Sequence, residues 1–481
     1  MTKASLSAKV VLPQTTTATR KAFLMPHSTE QTVLFPELVS KPVHVLFDES
    51  HSTSDGGALL LKAADQRYGL TQRMARCLAD SREPGKVQHS LLDLLRQRIY
   101  GLCCGYSDAN DVARIGKDPM HKLLLDRDPL LGPDLASQPT LSRFENGRAR
   151  QDLYRLGESL MDSVIERHRR RLRKRKPKLI TIDLDSTDDP THGHQQLALF
   201  NGHYGNWCYQ PLLGFVSFDD EHDQYLFAAI LRPGRIDQRL GAVGLLHRVL
   251  RRLRSAFPSA VLRVRMDGGF ASSTMFDFLD DAQVEYLVAV ARYKRLALAA
   301  AEAMDAALRQ SSLTNETATH YGETMYAAAT WSKERRVIYK AECVRLAGHP
   351  MRENRRFVVT NLACDAEAVY DIYRQRGDSE NRIKELKLDL DLGRTSCSRF
   401  WANQLRVLLS AAAYVLMQEL RLGLQATKHA TVQVETLRLM LLKIGGRVER
   451  SVRRIVIHLA ANHPWDRQWR LIARAWGAVI P

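Results

Sequence analysis

Hydrophobic periodicity between residues 179 and 290 constrains the fold of this chain more than any other feature of its sequence. Apolar residues recur there with the two-residue period of a strand or the period of about 3.6 residues of a helix. The predicted strands are 179–185, 209–219, 224–233, 260–267 and 285–290, and the predicted helices are 236–257 and 272–281. Their order is β-β-β-α-β-α-β, in which three meandering strands are followed by right-handed crossover units.

This order matches a ribonuclease-H-like core, and a long segment precedes the last helix of that core. Residues 296–364 begin with an alanine-rich helix and continue with strand-like runs at 325–331, 336–344 and 355–360. These runs predict a largely β insertion. The predicted fold class is α/β, with a ribonuclease-H-like core that carries this insertion between helical N-terminal and C-terminal regions.

Acidic residues end two of the predicted strands. Asp185 ends the first strand, and Asp267 ends the fourth strand, where two glycines follow it. Because α/β sheets place their sites at the carboxyl ends of strands, these two acids are candidates for one site. Asp183 is an alternative to Asp185, since both side chains face the same side of the strand. Asp185 is preferred because it lies at the strand end.

A polar stripe marks a predicted helix near residue 380. At about 100° per residue, Tyr373, Arg376, Glu380 and Lys387 fall within an arc of about 60°. A carboxylate flanked by cations on one face suits a metal ion beside a phosphate. The alternative is a solvent-exposed helix with charges paired at i,i+4, such as Glu380 with Lys384.

Asp185, Asp267 and Glu380 are therefore the predicted catalytic and metal-binding acids. Two other acids of the last helix, Asp378 and Glu385, fall away from the stripe. Converging carboxylates repel one another unless cations neutralise them, and oxygen ligands select Mg²⁺ or Mn²⁺ over zinc. Two such ions per active site would activate an attacking oxygen and stabilise a leaving oxygen in phosphoryl transfer.

The charge balance predicts a polyanion partner. The chain has 70 Lys and Arg against 53 Asp and Glu, a formal net charge of +17, which favours nucleic acid over a membrane surface. Eight of the eleven residues 168–178 are basic, more than a helix C-terminus requires. The predicted phosphate-backbone contacts in this run include Arg169, Arg170, Arg171, Arg173, Lys174 and Arg175.

A short polar helix begins near residue 137. Ser137 is its predicted N-cap, and Pro139 suits its first turn. Arg143 on this helix is a candidate for contact with a DNA major groove. The alternative is an ordinary capped helix in a small bundle.

The remaining composition excludes several classes of protein. Seven scattered cysteines without a Cys-x-x-Cys pair argue against a disulfide framework and a structural zinc site, and they fit a reducing cytoplasm. His192 and His194 flank a glycine without a cysteine partner, so they are interpreted as polar loop residues. No stretch reaches 18 apolar residues, so no membrane span is expected.

Together these motifs resemble those of a bacterial insertion-sequence DDE transposase. The subgroup signature Tyr-x2-Arg-x3-Glu-x6-Lys is matched without deviation by Tyr373, Arg376, Glu380 and Lys387. Asp185-Ser186-Thr187 matches the Asp-x-Thr motif of the first catalytic acid in this family, and Asp267 matches the second catalytic acid. The segments 137–146 and 200–205 also fit the family pattern. The resemblance covers residues from about 43 to 420.

The resemblance implies cut-and-paste transposition. Metal-activated water would nick DNA at terminal inverted repeats, and the freed 3′-hydroxyl would attack a phosphodiester across the duplex or in target DNA. Tyr373, Arg376 and Lys387 would hold phosphates, and Trp331 is the candidate for stacking on a flipped base, its alternative being a packed strand residue. The expected partners are double-stranded DNA and a second copy of the chain in a synaptic complex, at the bacterial nucleoid.

Two other functions share these motifs. One is a DNA-binding regulator with an inactive core, and the other is a stand-alone metal-dependent nuclease that never joins strands. The predicted regions are a flexible N-terminus (1–42), a helical DNA-binding region with the basic run (43–177), the first part of the core (178–295), the β-rich insertion (296–364), the second part of the core with the Glu380 helix (365–425) and a helical C-terminal region (426–481).

Overall fold

The computed structural model describes residues 33–35 and 37–479 of the chain. The described residues divide into two compact units, with the boundary between Ser50 and His51. In the first unit, strand β1 (Val33–Phe35) pairs antiparallel with strand β2 (Val43–Val45). The N-terminal segment predicted to be flexible, 1–42, lies mostly outside the described residues, and β1 occupies part of its described portion.

The second unit begins with a short strand and seven α-helices. Their bounds are β3 (Ser52–Thr53), α1 (Leu59–Tyr68), α2 (Leu70–Arg76), α3 (Leu91–Cys103), α4 (Ala109–Arg114), α5 (Pro119–Leu124), α6 (Gln138–Asn146) and α7 (Arg150–Arg171). Ser137 occupies the N-cap position of α6, as predicted, but its side chain makes no capping hydrogen bond. Its hydroxyl lies 3.3 Å from Thr140 Oγ1 and not on a backbone amide.

A large mixed sheet forms the centre of this unit. Its elements and those around it are β4 (Leu179–Ser186), β5 (Asp189–Pro190), β6 (Leu199–Asn201), β7 (Asn206–Tyr209), β8 (Leu212–Phe218), β9 (Tyr225–Ile230), α8 (Ala242–Ala256), β10 (Val261–Met266), α9 (Ser273–Asp281), β11 (Glu285–Val290), α10 (Lys294–Ala299), α11 (Ala301–Thr314), β12 (Ala318–Tyr326), β13 (Arg335–Val344) and β14 (Arg352–Thr360). Eight strands pair in the order β12-β13-β14-β11-β10-β4-β8-β9. β10 runs parallel to both β4 and β11, and the other pairs are antiparallel.

Three predicted elements are shorter than the sequence pattern indicated, and one of them is the strand predicted at 224–233, which spans only Tyr225–Ile230. The strand predicted at 209–219 enters the large sheet only at Leu212, because Pro211 has no N–H to donate and separates it from β7. β7 instead pairs with β5 and β6 in a small second sheet. The helix predicted at 236–257 begins only after Gly241, whose φ of 83° lies in the left-handed region.

The β-rich segment at 296–364 continues the central sheet. β14 pairs antiparallel with β11, with Leu287 opposite Thr360, and β13 and β12 follow outward. Helix α11 covers this extension through a small apolar cluster that includes Met304 and Ala307. The runs predicted at 336–344 and 355–360 are strands, but the run predicted at 325–331 is wrong, since β12 ends at Tyr326 and the rest of that run lies in the turn before β13. All three strands share their hydrogen-bond ladder with the core.

The C-terminal part consists of helices and one hairpin. Its elements are α12 (Ala366–Arg374), α13 (Gly377–Leu388), α14 (Phe400–Leu422), α15 (Val434–Leu437), β15 (Gly446–Arg450), β16 (Ile455–Leu459) and α16 (Asp466–Ala475). The prediction of an entirely helical C-terminal region is wrong, since β15 pairs with both β16 and β3. The alternating residues of 446–459 have the two-residue period of a strand.

Helix α14 lies at the centre of the unit. All but three of its residues, the exceptions being Trp401, Arg406 and Leu422, are buried. Gln404 and Gln418 on this helix hydrogen-bond the backbone of β9 and of the residues on either side of it, which fixes the helix on the sheet. Within the part of the chain that the structure describes, none of the helices combines the length and the apolar character that crossing a bilayer requires.

Candidate functional site

Asp185 and Asp267 lie at the ends of two adjacent parallel strands. β4 and β10 pair in a register that sets Met266 beside Leu184, so the next residue on each strand is an acid. The acids lie side by side because a parallel register brings equivalent strand ends to the same edge of a sheet. Asp267 also accepts a hydrogen bond of 3.0 Å from the backbone N–H of Gly269, which holds its carboxylate at the turn.

Arg376 connects Asp185 to Glu380. Its Nη1 atom donates to Asp185 Oδ2 over 2.6 Å, and its Nη2 atom donates to Glu380 Oε1 over 3.2 Å. The hydroxyl of Ser379 lies 3.4 Å from the same Asp185 oxygen. The structure therefore brings together the three acids and one of the three cationic or phenolic residues predicted beside them.

The predicted single helix is two helices. α12 ends at Arg374 and α13 begins at Gly377, so Tyr373 lies on α12, Arg376 in the junction, and Glu380 on α13. The N–H groups of Arg376 and Ser379 donate to carbonyls three residues earlier, which tightens the chain at the junction. The four residues of the predicted stripe are therefore divided between two helices, with a break at Arg376.

Burial disfavours ionisation of both strand-end acids. It raises the pKa of Asp185 to about 6, against the opposing effect of Arg376 and with a further increase from Asp267. Burial also raises the pKa of Asp267, which Arg376 and the Gly269 N–H oppose. The two carboxylates therefore form a site that one guanidinium only partly neutralises.

Asp183 is engaged elsewhere. Its carboxylate is fully buried and pairs with Arg265, Nε to Oδ1 at 2.8 Å and Nη2 to Oδ2 at 2.9 Å. Arg265 also donates to the backbone carbonyl of Ile372 over 2.8 Å. This pair therefore attaches the end of α12 to the sheet, beneath the Arg376 junction.

Lys387 and Tyr373 contact residues that lie next to the acids. Lys387 Nζ lies 2.8 Å from Asp188 Oδ1 and 3.0 Å from the Asp188 carbonyl, so it is bound to the loop after β4. Tyr373 is partly buried, and burial raises the pKa of its phenol, which hydrogen-bonds Arg376. Glu385 points away from the acids and pairs with Arg421 and Tyr414 of α14.

Trp331 packs inside the turn that joins β12 to β13. Its ring meets that of Phe276 edge-on at 4.8 Å and that of Tyr326 at 5.4 Å. The guanidinium of Arg335 lies 5.8 Å from its centroid. In this arrangement the tryptophan contributes to packing between the β12–β13 hairpin and α9.

The basic run is only partly free for phosphate. Arg169 and Arg170 both pair with Glu166 at 2.7 Å, while Arg171 pairs with Glu221 at 2.8 Å and stacks over Tyr225. Arg175 lies 3.8 Å from Asp219. The exposed residues of the run are Arg169, Arg170, Arg173, Lys174, Arg175, Lys176 and Lys178, and Arg143 on α6 is exposed as well.

Arg232 adds a second buried guanidinium that the sequence did not single out. Its Nη2 donates to Ser186 Oγ over 2.7 Å, and its Nε donates to the Gln210 carbonyl over 2.9 Å. Burial lowers its pKa to about 10, which Tyr204, Asp237 and Asp267 oppose. The sequence signal that could have identified Arg232 is its position just after an apolar strand, whose end lies at the same edge of the sheet as Asp185.

The turn between β6 and β7 also reaches the acids. Burial raises the pKa of Tyr204, and Asp188, Asp185 and Asp267 raise it further. His203 is one of the groups that oppose the increase that burial causes in the pKa of Asp267. The motif at 200–205 therefore has a physical location beside the site, which the sequence pattern alone did not indicate.

A second cluster of potential ligands lies away from these acids. Asp55, Cys104 and His121 are buried with their ligand atoms within 4.8 Å of one another. Lys443 Nζ is already 2.8 Å from Asp55 Oδ1, and His121 Nε2 is 2.9 Å from Asp55 Oδ2. Since burial raises the pKa of the Cys104 thiol well above its ordinary value, we interpret this cluster as a buried ion-paired network.

The strand-end acids, in contrast, suit a divalent cation. Asp185 and Glu380 direct carboxylate oxygens onto a single cationic group, and Asp267 adds a third carboxylate beside them. An all-carboxylate donor set is typical of Mg²⁺ or Mn²⁺. The residues that would hold such an ion are Asp185, Asp267 and Glu380.

A comparison with known protein families identifies the family of this chain. The sequence model of the family described as "Transposase DDE domain group 1" matches residues 35–476, which include every residue of the site. A search of curated proteins found no match.

Proposed function

The chain belongs to the DDE transposase family, and on that premise we propose that it moves an insertion sequence by cut-and-paste transposition. The reaction is DNA strand cleavage at terminal inverted repeats followed by strand transfer into target DNA. One observation carries the proposal, namely the convergence of Asp185, Asp267 and Glu380 at one edge of the sheet with Arg376 between them.

The three acids would hold two Mg²⁺ or Mn²⁺ ions. When bound, these ions supply an activated oxygen nucleophile and stabilise the leaving oxygen of an in-line phosphoryl transfer. The residues of the chain set the geometry, since β4 and β10 hold two acids rigidly while α13 supplies the third. A site of this kind needs no covalent intermediate with the protein.

Cationic and phenolic groups around the acids would position the phosphodiester. Arg376 can bind a phosphate through two parallel N–H groups, whereas Lys387 provides a compact charge. Tyr373 orients Arg376 through its hydroxyl. Arg232 holds Ser186, the residue after Asp185, and we infer that it keeps the end of β4 in place.

The central sheet supports a ribonuclease-H-like assignment for the core. β8 and β9 form the meander with β4, and the parallel strands β10 and β11 follow through helices α8 and α9. We infer that double-stranded DNA lies across the edge that carries Asp185 and Asp267, and that two copies of the chain pair two DNA ends. Exposed Arg173 and Lys174 would add phosphate-backbone contacts.

The test is Mg²⁺-dependent cleavage of a labelled duplex that carries the flanking inverted repeat of the protein's own element. The wild type is compared with Glu380→Gln and with Asp378→Asn, an exposed acid of the same helix that serves as the control. We expect cleavage by the wild type and by Asp378→Asn, and none by Glu380→Gln.

Two outcomes would change the assignment. Binding without cleavage by any of the three proteins would favour a regulator with an inactive core. Cleavage without joining, when pre-cut ends are supplied with target DNA, would favour a stand-alone nuclease.

A further inference from the structure

Arg376 occupies the position between carboxylates where a cation would bind. Its two terminal nitrogens are divided between two acids, Nη1 on Asp185 and Nη2 on Glu380. Its side chain is 15% exposed, and that of Asp185 is 9% exposed, so the pair is largely shielded from water. A guanidinium in this place neutralises the acids that are expected to bind metal.

A divalent ion and this guanidinium would compete for Asp185 Oδ2. An ion bound to that oxygen would place two positive charges within hydrogen-bond distance of Arg376, at a largely buried site where charge repulsion is weakly screened. The other oxygen, Oδ1, already accepts from the backbone N–H of Ser186 over 2.9 Å. Metal ligation through Oδ2 would therefore weaken or break the 2.6 Å contact with Arg376.

We propose that Arg376 is a resident counter-ion that a divalent metal must displace from Asp185, so that metal binding releases the guanidinium for a DNA phosphate. The inference rests on the proposed function, because it takes the three acids as the metal ligands. It adds an exchange of partners, in which Arg376 pairs with carboxylates before metal binds and with phosphate afterwards.

The position of Arg376 in the chain allows such an exchange. It lies between α12 and α13, outside the regular hydrogen bonding of either helix. Gly377 follows, and a Cβ added to it would meet nothing within 4 Å, so the junction has open space on that side. Glu380 is 57% exposed, so its contact with Arg376 is accessible to solvent and competing ions.

The exchange predicts coupling between two ligands. If metal frees Arg376 and DNA captures it, each ligand must strengthen the binding of the other by the same factor. Without Arg376, metal no longer has a competitor at Asp185, and DNA no longer gains the released guanidinium. Metal affinity should then increase while the coupling to DNA decreases.

The experiment is a titration of metal-free full-length protein with Mn²⁺, followed by the electron paramagnetic resonance signal of the free ion at pH 8. At that pH, Asp185, with a pKa of about 6, is ionised in the wild type. We expect Arg376→Gln to bind Mn²⁺ on the order of tenfold more tightly than the wild type. Arg374→Gln is the matched control, since Arg374 is 75% exposed and pairs only with Asp371 on its own helix.

The second measurement adds DNA. The duplex carrying the flanking inverted repeat is titrated with and without Ca²⁺, a divalent ion that also takes carboxylate oxygens. We expect Ca²⁺ to increase the DNA affinity of the wild type and of Arg374→Gln by on the order of tenfold, and that of Arg376→Gln by less than about threefold. Arg376→Lys, which keeps the charge without the two-pronged contact, should give intermediate values.

Three results separate the possible failures. Weaker Mn²⁺ binding by a folded Arg376→Gln protein, or unchanged coupling to DNA, would overturn the exchange and leave Arg376 a simple support of the acids. Unchanged Mn²⁺ binding in Asp185→Asn would overturn the metal-site assignment itself. If circular dichroism shows that Arg376→Gln does not fold, the same Mn²⁺ titration is made with Arg376→Lys. An Mn²⁺ affinity of Arg376→Lys below that of the wild type would then overturn the proposal.

Discussion

Arg376 Nη1 donates to Asp185 Oδ2 over 2.6 Å, although the two residues are 191 positions apart in the sequence. The contact attaches the junction between α12 and α13 to the end of β4. Asp183 and Arg265 reinforce the same attachment from the core, since Arg265 also holds the carbonyl of Ile372. The position of Glu380 relative to the sheet therefore depends on buried charge pairs as well as on apolar packing.

Asp267→Asn should abolish DNA cleavage and preserve binding of the DNA ends. The substitution removes one of the adjacent strand-end carboxylates and retains the shape and the acceptor for the Gly269 N–H. Cleavage of labelled duplex and gel-shift binding measure the two properties separately. Retained cleavage would mean that Asp267 is not part of the metal-binding set.

Asp183→Asn and Asp185→Asn should differ in stability, which distinguishes the two candidates for the first acid. Asp183 is the carboxylate partner of Arg265, which is 4% exposed, so its loss leaves a buried guanidinium without its counter-charge and should cost about 3–5 kcal/mol. In Asp185→Asn, Arg376 still has its ion pair with Glu380. The substitution should therefore not lower the melting temperature at pH 8 without metal. Urea unfolding of both variants checks this, and equal losses would contradict it.

The stability of the metal-free protein should depend on the ionisation of Asp185. Its folded pKa of about 6 lies above the ordinary value of 3.8, so the stability associated with its protonated form is present below pH 3.8 and is lost as the pH rises through 6. The melting temperature of Asp185→Asn, relative to that of the wild type, should therefore increase as the pH is raised from 4 to 7. Mg²⁺ should raise the wild-type melting temperature more at pH 7.5 than at pH 5, because protons compete at the lower pH. A difference that does not change with pH would indicate that Asp185 titrates normally.

Trp331→Ala should destabilise the protein through lost packing. The ring is half-buried against Phe276 and Tyr326, so the expected cost is about 2 kcal/mol, less than the roughly 3–5 kcal/mol of a fully buried aromatic residue. Trp207→Ala is the control, since Trp207 is 58% exposed and its removal should change the unfolding free energy by less than about 0.5 kcal/mol. An unaffected Trp331→Ala protein with weakened DNA binding would instead support the base-stacking role predicted from the sequence.

The salt dependence of DNA binding should distinguish the free from the paired cations of the basic run. Changing Arg173 and Lys174 to Gln removes two exposed cations and should reduce the slope of log affinity against log salt by about 1.8, or about 0.9 for each phosphate contact. Changing Arg169 and Arg170 should reduce it less, because Glu166, whose pKa they hold at about 2, competes with phosphate for them. Equal reductions would show that the ion pairs with Glu166 open on the DNA.

Local patterns predicted the elements that carry the acids. The strand at 285–290 is found with the same bounds, β4 and β10 agree to within one residue at each end, and Asp185 and Asp267 end their strands as predicted. The family match confirms the resemblance to DDE transposases, whereas the roles of individual residues in the subgroup signature stay predictions. Such features are accessible from sequence because apolar periodicity and turn residues act over a few neighbouring positions.

Other features depended on contacts between distant segments. The break at Arg376 could not be inferred from periodicity, because Gln375 and Arg376 keep right-handed helical backbone angles and only the hydrogen bonding changes. The β15–β16 hairpin also pairs with β3, almost 400 residues earlier in the chain, and sequence spacing does not indicate that pairing.

The sequence by itself determined the order of strands and helices in the core, the two strand-end acids and the polar stripe near residue 380, since these depend on local periodicity and spacing. Tertiary structure decided which arginine of the basic run forms an ion pair across the fold. Arg169, Arg170 and Arg171 are equivalent by sequence pattern. Arg171 forms an ion pair with Glu221, in a turn 50 residues away, whereas Arg169 and Arg170 both pair with Glu166 on their own helix. It likewise decided that Asp183 is bound by Arg265 and that Arg376 lies between Asp185 and Glu380. The physical reason is that ion pairing and burial depend on distance in space, which sequence spacing does not determine.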